Sequence, residues 1–167
     1  MNSIPIETER KFLIRYPEKI ISDDAVQKKE LTQTYLVCEK GLTDRVRKTV
    51  CNGKTIYVRT QKRRISNLSA FEEEIDLSKK EYEKLLENAD KSLRPIIKTR
   101  YVIPYMEHNI EIDVYPFWDD RAVMEIELKS EEEAFDIPEC ITVIKEVTDD
   151  KRYKNVNLAK IIPMDEI

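Results

Sequence analysis

The chain has 167 residues, 41% hydrophobic and 37% charged, with a formal net charge of −4. That balance suits a single domain over residues 1–167 with a fair core, and it excludes a global basic field for nucleic acid, so any anion site must be a local gathering of Lys and Arg. The three cysteines, Cys38, Cys51 and Cys140, lack a CxxC spacing, which predicts reduced thiols, a cytoplasmic location and no zinc site; apolar runs of a few residues predict no signal peptide and no membrane span.

In chain order, "ETERKFLI" comes first. Its alternation places Glu7, Glu9 and Lys11 on one side of a strand, where stacked carboxylates repel unless water or a cation relieves them. "PEKIISDDAVQKKE" is expected to be helical in part. "RVRKTV" and "TIYVRTQK" read as strands around Asn52-Gly53, a two-residue type I′ hairpin signal. That turn sets Cys51 opposite Lys54, Arg47 opposite Val58 and Arg45 opposite Thr60, so Arg45, Arg47, Thr60 and Lys62 share a face. "AFEEEID" is a further strand, with Glu72 and Glu74 in alternation. Ser78 and Glu81 form a capping box that opens a helix with a Tyr82, Leu85, Leu86 stripe.

Three more strands follow. "IIKTRYVI" carries Lys98 and Arg100, "NIEIDVY" carries Glu111 and Asp113, and "AVMEIELK" carries Glu125 and Glu127. Their opposite faces hold Ile97 and Tyr101, then Ile110, Ile112 and Val114, then Met124, Ile126 and Leu128, which predicts burial. His108 in "MEHNIE" is expected in a surface turn, and Trp118 in "PFWDDR" in a loop, as packing. Ser130 and Glu133 form a second capping box, predicting a shorter helix in "SEEEAFD". "NVNLAKII" is expected to end in a last short helix, after the solvated charges Lys151 and Arg152. Many strands and few helices imply an antiparallel α+β fold or a barrel.

The charged faces carry the functional signal. Each strand holds a same-sign doublet, which destabilises a sheet unless a bound partner offsets it. Acid doublets suit a hard divalent cation such as Mg²⁺ or Mn²⁺, and base doublets suit phosphate oxygens. A polyphosphate with its metal satisfies both. With Gly41 and Gly53 as the only glycines, no Gly-rich phosphate loop is available and side chains must bind the phosphates.

The ordered series "ETERK", "LTQTYL", "DRVRK", "TQK", "IKTRY", "IEIDVY", "MEIEL" and "EVTDDKRYKNVNLA" resembles the CYTH superfamily, the triphosphate tunnel metalloenzymes, and within it the short bacterial inorganic triphosphatase-like branch. The resemblance implies an eight-stranded antiparallel β-barrel, mainly β, with helices packed outside and a charged tunnel. It implies hydrolysis of inorganic triphosphate or a similar linear triphosphate with Mg²⁺ or Mn²⁺. The partner is then a small-molecule polyphosphate, with no nucleic acid and no membrane, and homodimerisation is left open. Glu7, Glu9, Glu111, Asp113, Glu125 and Glu127 would hold metal; Lys11, Arg45, Arg47, Lys62 and Arg100 would bind substrate; Tyr35 and Lys98 would form a proton-transfer pair, Lys98 lowering the phenol pKa. Two positions depart from the pattern. Leu68, Ala70 and Glu72 stand where relatives carry RxExE, and Thr43 stands where thiamine triphosphatases carry an aromatic. A class IV-like adenylate cyclase and a non-catalytic polyphosphate-binding module are the alternatives.

Overall fold

A computed structural model describes residues 6–66 and 68–167. Its strands are β1 (Ile6–Arg15), β2 (Gln27–Tyr35), β3 (Leu42–Cys51), β4 (Lys54–Arg64), β5 (Ser69–Leu77), β6 (Ile96–Tyr105), β7 (His108–Val114), β8 (Arg121–Leu128) and β9 (Val143–Glu146). They form one antiparallel sheet in the order β5-β4-β3-β2-β6-β7-β8-β1-β9, and β5 also pairs with β1, which closes the first eight into a barrel. Closure is short: β1 meets β5 over Ile6–Thr8 and then parts from it, and β9 takes the same edge over Phe12–Ile14. The expected fold is borne out.

The hairpin register is also as read from the sequence. Cys51 lies opposite Lys54, Arg47 opposite Val58 and Arg45 opposite Thr60. Asn52 and Gly53 both have positive φ, 49° and 74°, the backbone that a type I′ turn requires.

Alternation divides each strand between lumen and exterior. On the outside, Phe12, Ile14, Tyr101, Ile110, Ile112, Met124, Ile126 and Leu128 form one core, covered by α1 (Glu18–Ile21) and by Phe135, Ile137 and Ile141. A second outer cluster places α2 (Lys79–Leu85) over Leu36 and Val46 through Tyr82, behind the predicted Ser78–Glu81 capping box. The third core closes one end of the barrel. Leu13, Tyr35, Ile96, Tyr115 and Val123 pack there against Trp118, Val147, Tyr153 and Leu158, the last from α3 (Asn155–Leu158). Trp118 is packing, as expected, and its indole donates to the Pro163 carbonyl.

Three local expectations are corrected. Residues 130–136 form no helix: the Glu133 carboxylate accepts from the Lys129 backbone N–H rather than completing a box with Ser130, and Phe135 and Ile137 are drawn onto the outer core. His108 opens β7, where its half-buried ring lies 3.2 Å from Glu133. Ile97, expected to be buried on the apolar outer face, is 58% exposed and lies outside the packed outer core.

Candidate active site

Above the plug the barrel encloses a cavity of about 310 Å³ whose wall is mostly charged. Seven carboxylates line it (Glu7, Glu9, Glu72, Glu74, Glu111, Glu125 and Glu127), facing eight cations (Lys11, Arg45, Arg47, Lys62, Arg64, Lys98, Arg100 and Lys154). Tyr35, Gln33, Thr43, Asn155 and Val156 complete the lining. Every residue given a metal, substrate or proton-transfer role from the sequence is on this wall except Asp113. That carboxylate sits behind it, fully buried, held by Lys98 and bidentately by Arg100 at 2.6 and 2.7 Å.

The doublets converge through cross-strand ion pairs. Lys11 on β1 meets Glu125 on β8 at 2.8 Å, directly opposite in register. Arg100 gathers Glu111, Asp113 and Glu125 from β7 and β8. Lys62 contacts Glu7 and, at 3.2 Å, Glu72; Arg47 reaches Glu74 at 3.3 Å, and Thr60 donates to that same carboxylate. Glu72 and Glu74 therefore both face the lumen, whereas Ala70, buried opposite Glu7, leaves one acid fewer than the family pattern.

Desolvation sets the electrostatics. Burial would raise the Asp113 and Glu125 carboxyls, but Arg100 with Lys98 holds the first below its ordinary value, and Lys11 with Arg100 holds the second well below. Burial would lower the Lys11 ammonium, yet Glu125 and Glu9 carry it above the ordinary value. Lys98 goes the other way: burial, reinforced by Arg100, lowers it to about 8 in spite of Asp113. Burial raises the Tyr35 phenol against the opposing pull of Arg45 and Lys11. The expectation of a phenol lowered by Lys98 is thereby corrected. Lys98 is committed to Asp113, and the ring its ammonium overlies, at 5.9 Å, is that of Tyr115.

Two sets of groups remain unsatisfied by protein. The side-chain donors Gln33 Nε2, Arg45 Nε and Arg47 Nε are buried without a hydrogen-bond partner, which is expensive unless an acceptor enters the lumen. On the other side, Glu127 makes no ion pair among the described residues; burial, then the charges of Glu7, Glu111 and Glu9, raise its carboxyl. Burial likewise raises Glu7 and Glu111 against Lys62 and Arg100. Among the described residues no three carboxylates converge as a ready metal cage, since most are turned onto Lys and Arg. The donor chemistry still fits a hard divalent cation, because it is carboxylate oxygen throughout and at Glu127 the repulsion of Glu7, Glu111 and Glu9 outweighs the pull of Lys62.

Sequence reasoning missed Gln33, Arg64 and Lys154 on the wall. The alternation that selected Lys62 also selects Arg64, but "KRR" presents three adjacent bases and blurs it.

A closed antiparallel barrel with an ionised lumen and a plugged end defines the class: a tunnel protein built to hold a polyanion among side chains. Comparison with solved structures sharpens this. The inorganic triphosphatase NE1496 is 31% identical over 94% of this chain and 96% of that one, with a TM-score of 0.59. PH1819 from Pyrococcus horikoshii OT3 shares the fold at 21% identity, covering 75% and 80% of the two chains, with a TM-score of 0.60. HpAC1 from Hippeastrum, whose dominant activity is that of a triphosphatase, shares it at 16% identity, 75% and 81% coverage and a TM-score of 0.55. No protein-family model and no curated protein matches the chain. The chain belongs to the CYTH superfamily, the triphosphate tunnel metalloenzymes.

Proposed function

We propose that the protein hydrolyses inorganic triphosphate, or a similar linear triphosphate, inside the barrel with the help of a divalent metal. One observation carries the reading: buried guanidinium and amide N–H donors without a partner face, across a single lumen, the Glu127 carboxylate, which has no ion pair among the described residues and stands among other carboxylates. A metal–polyphosphate complex supplies acceptors to the first group and positive charge to the second. The likeness to NE1496 supports the reaction class.

Arg45, Arg47, Arg100, Lys62 and Lys11 would grip phosphate oxygens, exchanging their carboxylate partners for charge-assisted bonds to substrate. Glu7, Glu9, Glu111 and Glu127 would hold Mg²⁺ or Mn²⁺, which when bound neutralises developing charge on the phosphoryl oxygens. Glu125 and Asp113, paired with Lys11, Lys98 and Arg100, fix those bases in place. Lys98, lowered to about 8 by burial, is suited to give a proton to the leaving phosphate near neutral pH, and the Tyr35 phenol, kept protonated by burial, to donate from elsewhere on the same wall. The plug of Leu13, Tyr115 and Val123 keeps bulk water from entering at that end. Phosphate release from triphosphate, pyrophosphate, ATP and thiamine triphosphate, each with Mg²⁺ and with Mn²⁺, tests the reading. Release should be fastest from triphosphate and lost in EDTA. Cyclic AMP from ATP, or tight triphosphate binding with no release over hours, would overturn it.

A further inference from the structure

The runs "ETERK" and "EVTDD" hold three polar residues, Arg10, Glu146 and Thr148, that do not line the main cavity. They are bonded to one another and to the backbone of Lys11, which does line it. At Lys11, β1 lacks a strand partner on one side: after Thr8 its edge leaves β5, and β9 takes it up only at Phe12. A residue in an antiparallel strand points its N–H and its C=O to the same side, and those of Lys11 point into this gap. The N–H donates to Thr148 Oγ1 at 2.9 Å, and the C=O accepts from Val147 N–H at 2.8 Å. On the other side β8 sets Glu125 opposite and gives Lys11 its ion pair at 2.8 Å.

The Thr148 hydroxyl is fixed in its turn. Having accepted from Lys11, it donates to Glu146 Oε1 at 2.7 Å. That carboxylate also takes two N–H groups of the Arg10 guanidinium, at 2.8 and 2.5 Å, and bonds from Arg10 and then Thr148 hold it below its ordinary value. The guanidinium lies over the Phe135 ring at 4.9 Å and the Phe12 ring at 5.6 Å. Lys11 and Thr148 are each 7% exposed, whereas Arg10 and Glu146 lie at the surface. A surface ion pair adds little to fold stability by itself, but one anchored at two points can fix the direction of a buried hydroxyl.

We propose that Arg10, Glu146 and Thr148 form a positioning relay that sets, from outside the barrel, where the Lys11 ammonium stands in the lumen. The relay rests on the triphosphate reading, in which Lys11 exchanges Glu125 for a phosphate oxygen. A base that gives up its side-chain partner on binding keeps its place through its backbone, and the backbone bonds of Lys11 come from Val147 and Thr148. The three relay residues act through Lys11 and touch no substrate.

A double-mutant cycle, read by isothermal titration of the full chain with triphosphate in EDTA, tests the relay without turnover. Thr148→Val keeps the shape and leaves the Lys11 N–H without its acceptor; it should weaken triphosphate about fivefold or more, and Thr148→Ser should stay within about twofold of wild type. In a Lys11→Met background, where no ammonium remains to be placed, Thr148→Val should cost less than about twofold. A merely structural threonine would cost the same in both backgrounds, so equal losses overturn the relay. Wild-type affinity in a folded Thr148→Val protein overturns it too. Should that variant melt early, Glu146→Leu, which cuts the relay one bond further out, replaces it in the same cycle and is judged by the same two outcomes. Wild-type affinity in Lys11→Met would take Lys11 off the substrate and overturn the relay while the other bases keep the triphosphate reading. Failure of the wild-type protein to bind triphosphate would overturn that reading itself.

Discussion

Lys98 is an ammonium only 2% exposed, bound to a carboxylate yet kept at about 8 by its burial and by Arg100. In the unfolded chain the same lysine titrates near ~10.4. Below about 8 both states carry the proton and the folded state bears the desolvation penalty; between there and ~10.4 only the unfolded state retains it, so this residue's contribution to stability rises with pH. Melting curves in EDTA should therefore show the wild type gaining on Lys98→Met across that window. A flat difference would show that Lys98 titrates normally, and a falling one that its ammonium is raised in the folded state. Glu127 and Arg47 bear on ligand rather than fold. Among the described residues Glu127 has no ion pair to lose, so Glu127→Gln should abolish metal-dependent phosphate release while leaving the melting temperature in place. Arg47, half-satisfied by Glu74 and with a buried unpartnered Nε, should on truncation to Ala weaken triphosphate by about 2 kcal/mol or more, seen by titration as a rise in Kd. The doublets behind these predictions were legible in the sequence because same-sign charges at alternate positions cost a solvated strand stability. Asp113's retreat behind the wall was not, since alternation gives the side of the sheet and says nothing of depth.

Elements show the same division. The β3–β4 hairpin could be registered residue by residue, because Asn52-Gly53 admits one turn type and the turn fixes every pair beyond it. A Cβ on Gly53 would meet nothing within 4 Å, so Gly53→Ala tests the backbone alone. With φ at +74° it should destabilise by about 1–2 kcal/mol, read as a lower melting temperature, with triphosphate affinity unchanged because Arg45 and Arg47 lie well up the strands. Strand β2 gave no such signal: in "QKKELTQTY" the inner face of Leu31 and Tyr35 is interrupted by Gln33, which lines the lumen. The capping-box pattern succeeded at Ser78, where Tyr82 and Leu85 supply an apolar stripe to pack, and failed at Ser130. A cap satisfies backbone donors at a helix start but cannot replace a face to bury, and Phe135 and Ile137 find theirs by packing on the outer core without a helix.

Across the whole molecule the net charge of −4 is a surface property, because the lumen is nearly balanced between acids and bases. Balance has a consequence for binding. A polyphosphate entering alone must displace carboxylates from Lys62, Arg47 and Arg100 and leave them unpaired at close range. A divalent cation entering alone must likewise draw Glu7 and Glu111 away from their bases. When both enter, the released acids meet the metal and the released bases meet the phosphates, so each ligand removes the other's penalty. The two should bind with positive coupling, and by linkage the factor by which Mg²⁺ tightens triphosphate must equal the factor by which triphosphate tightens Mg²⁺. Titrations with each ligand, in the absence and presence of the other, should give a coupling of about 1–3 kcal/mol after correction for the metal–triphosphate complex formed in solution. Glu127→Gln should shrink that coupling more than it weakens triphosphate in EDTA, because Glu127 opposes other carboxylates and supports no base. Independent binding of the two ligands would mean that the lumen accepts anions by its cations alone, leaving the acidic half of the barrel without a part in recognition.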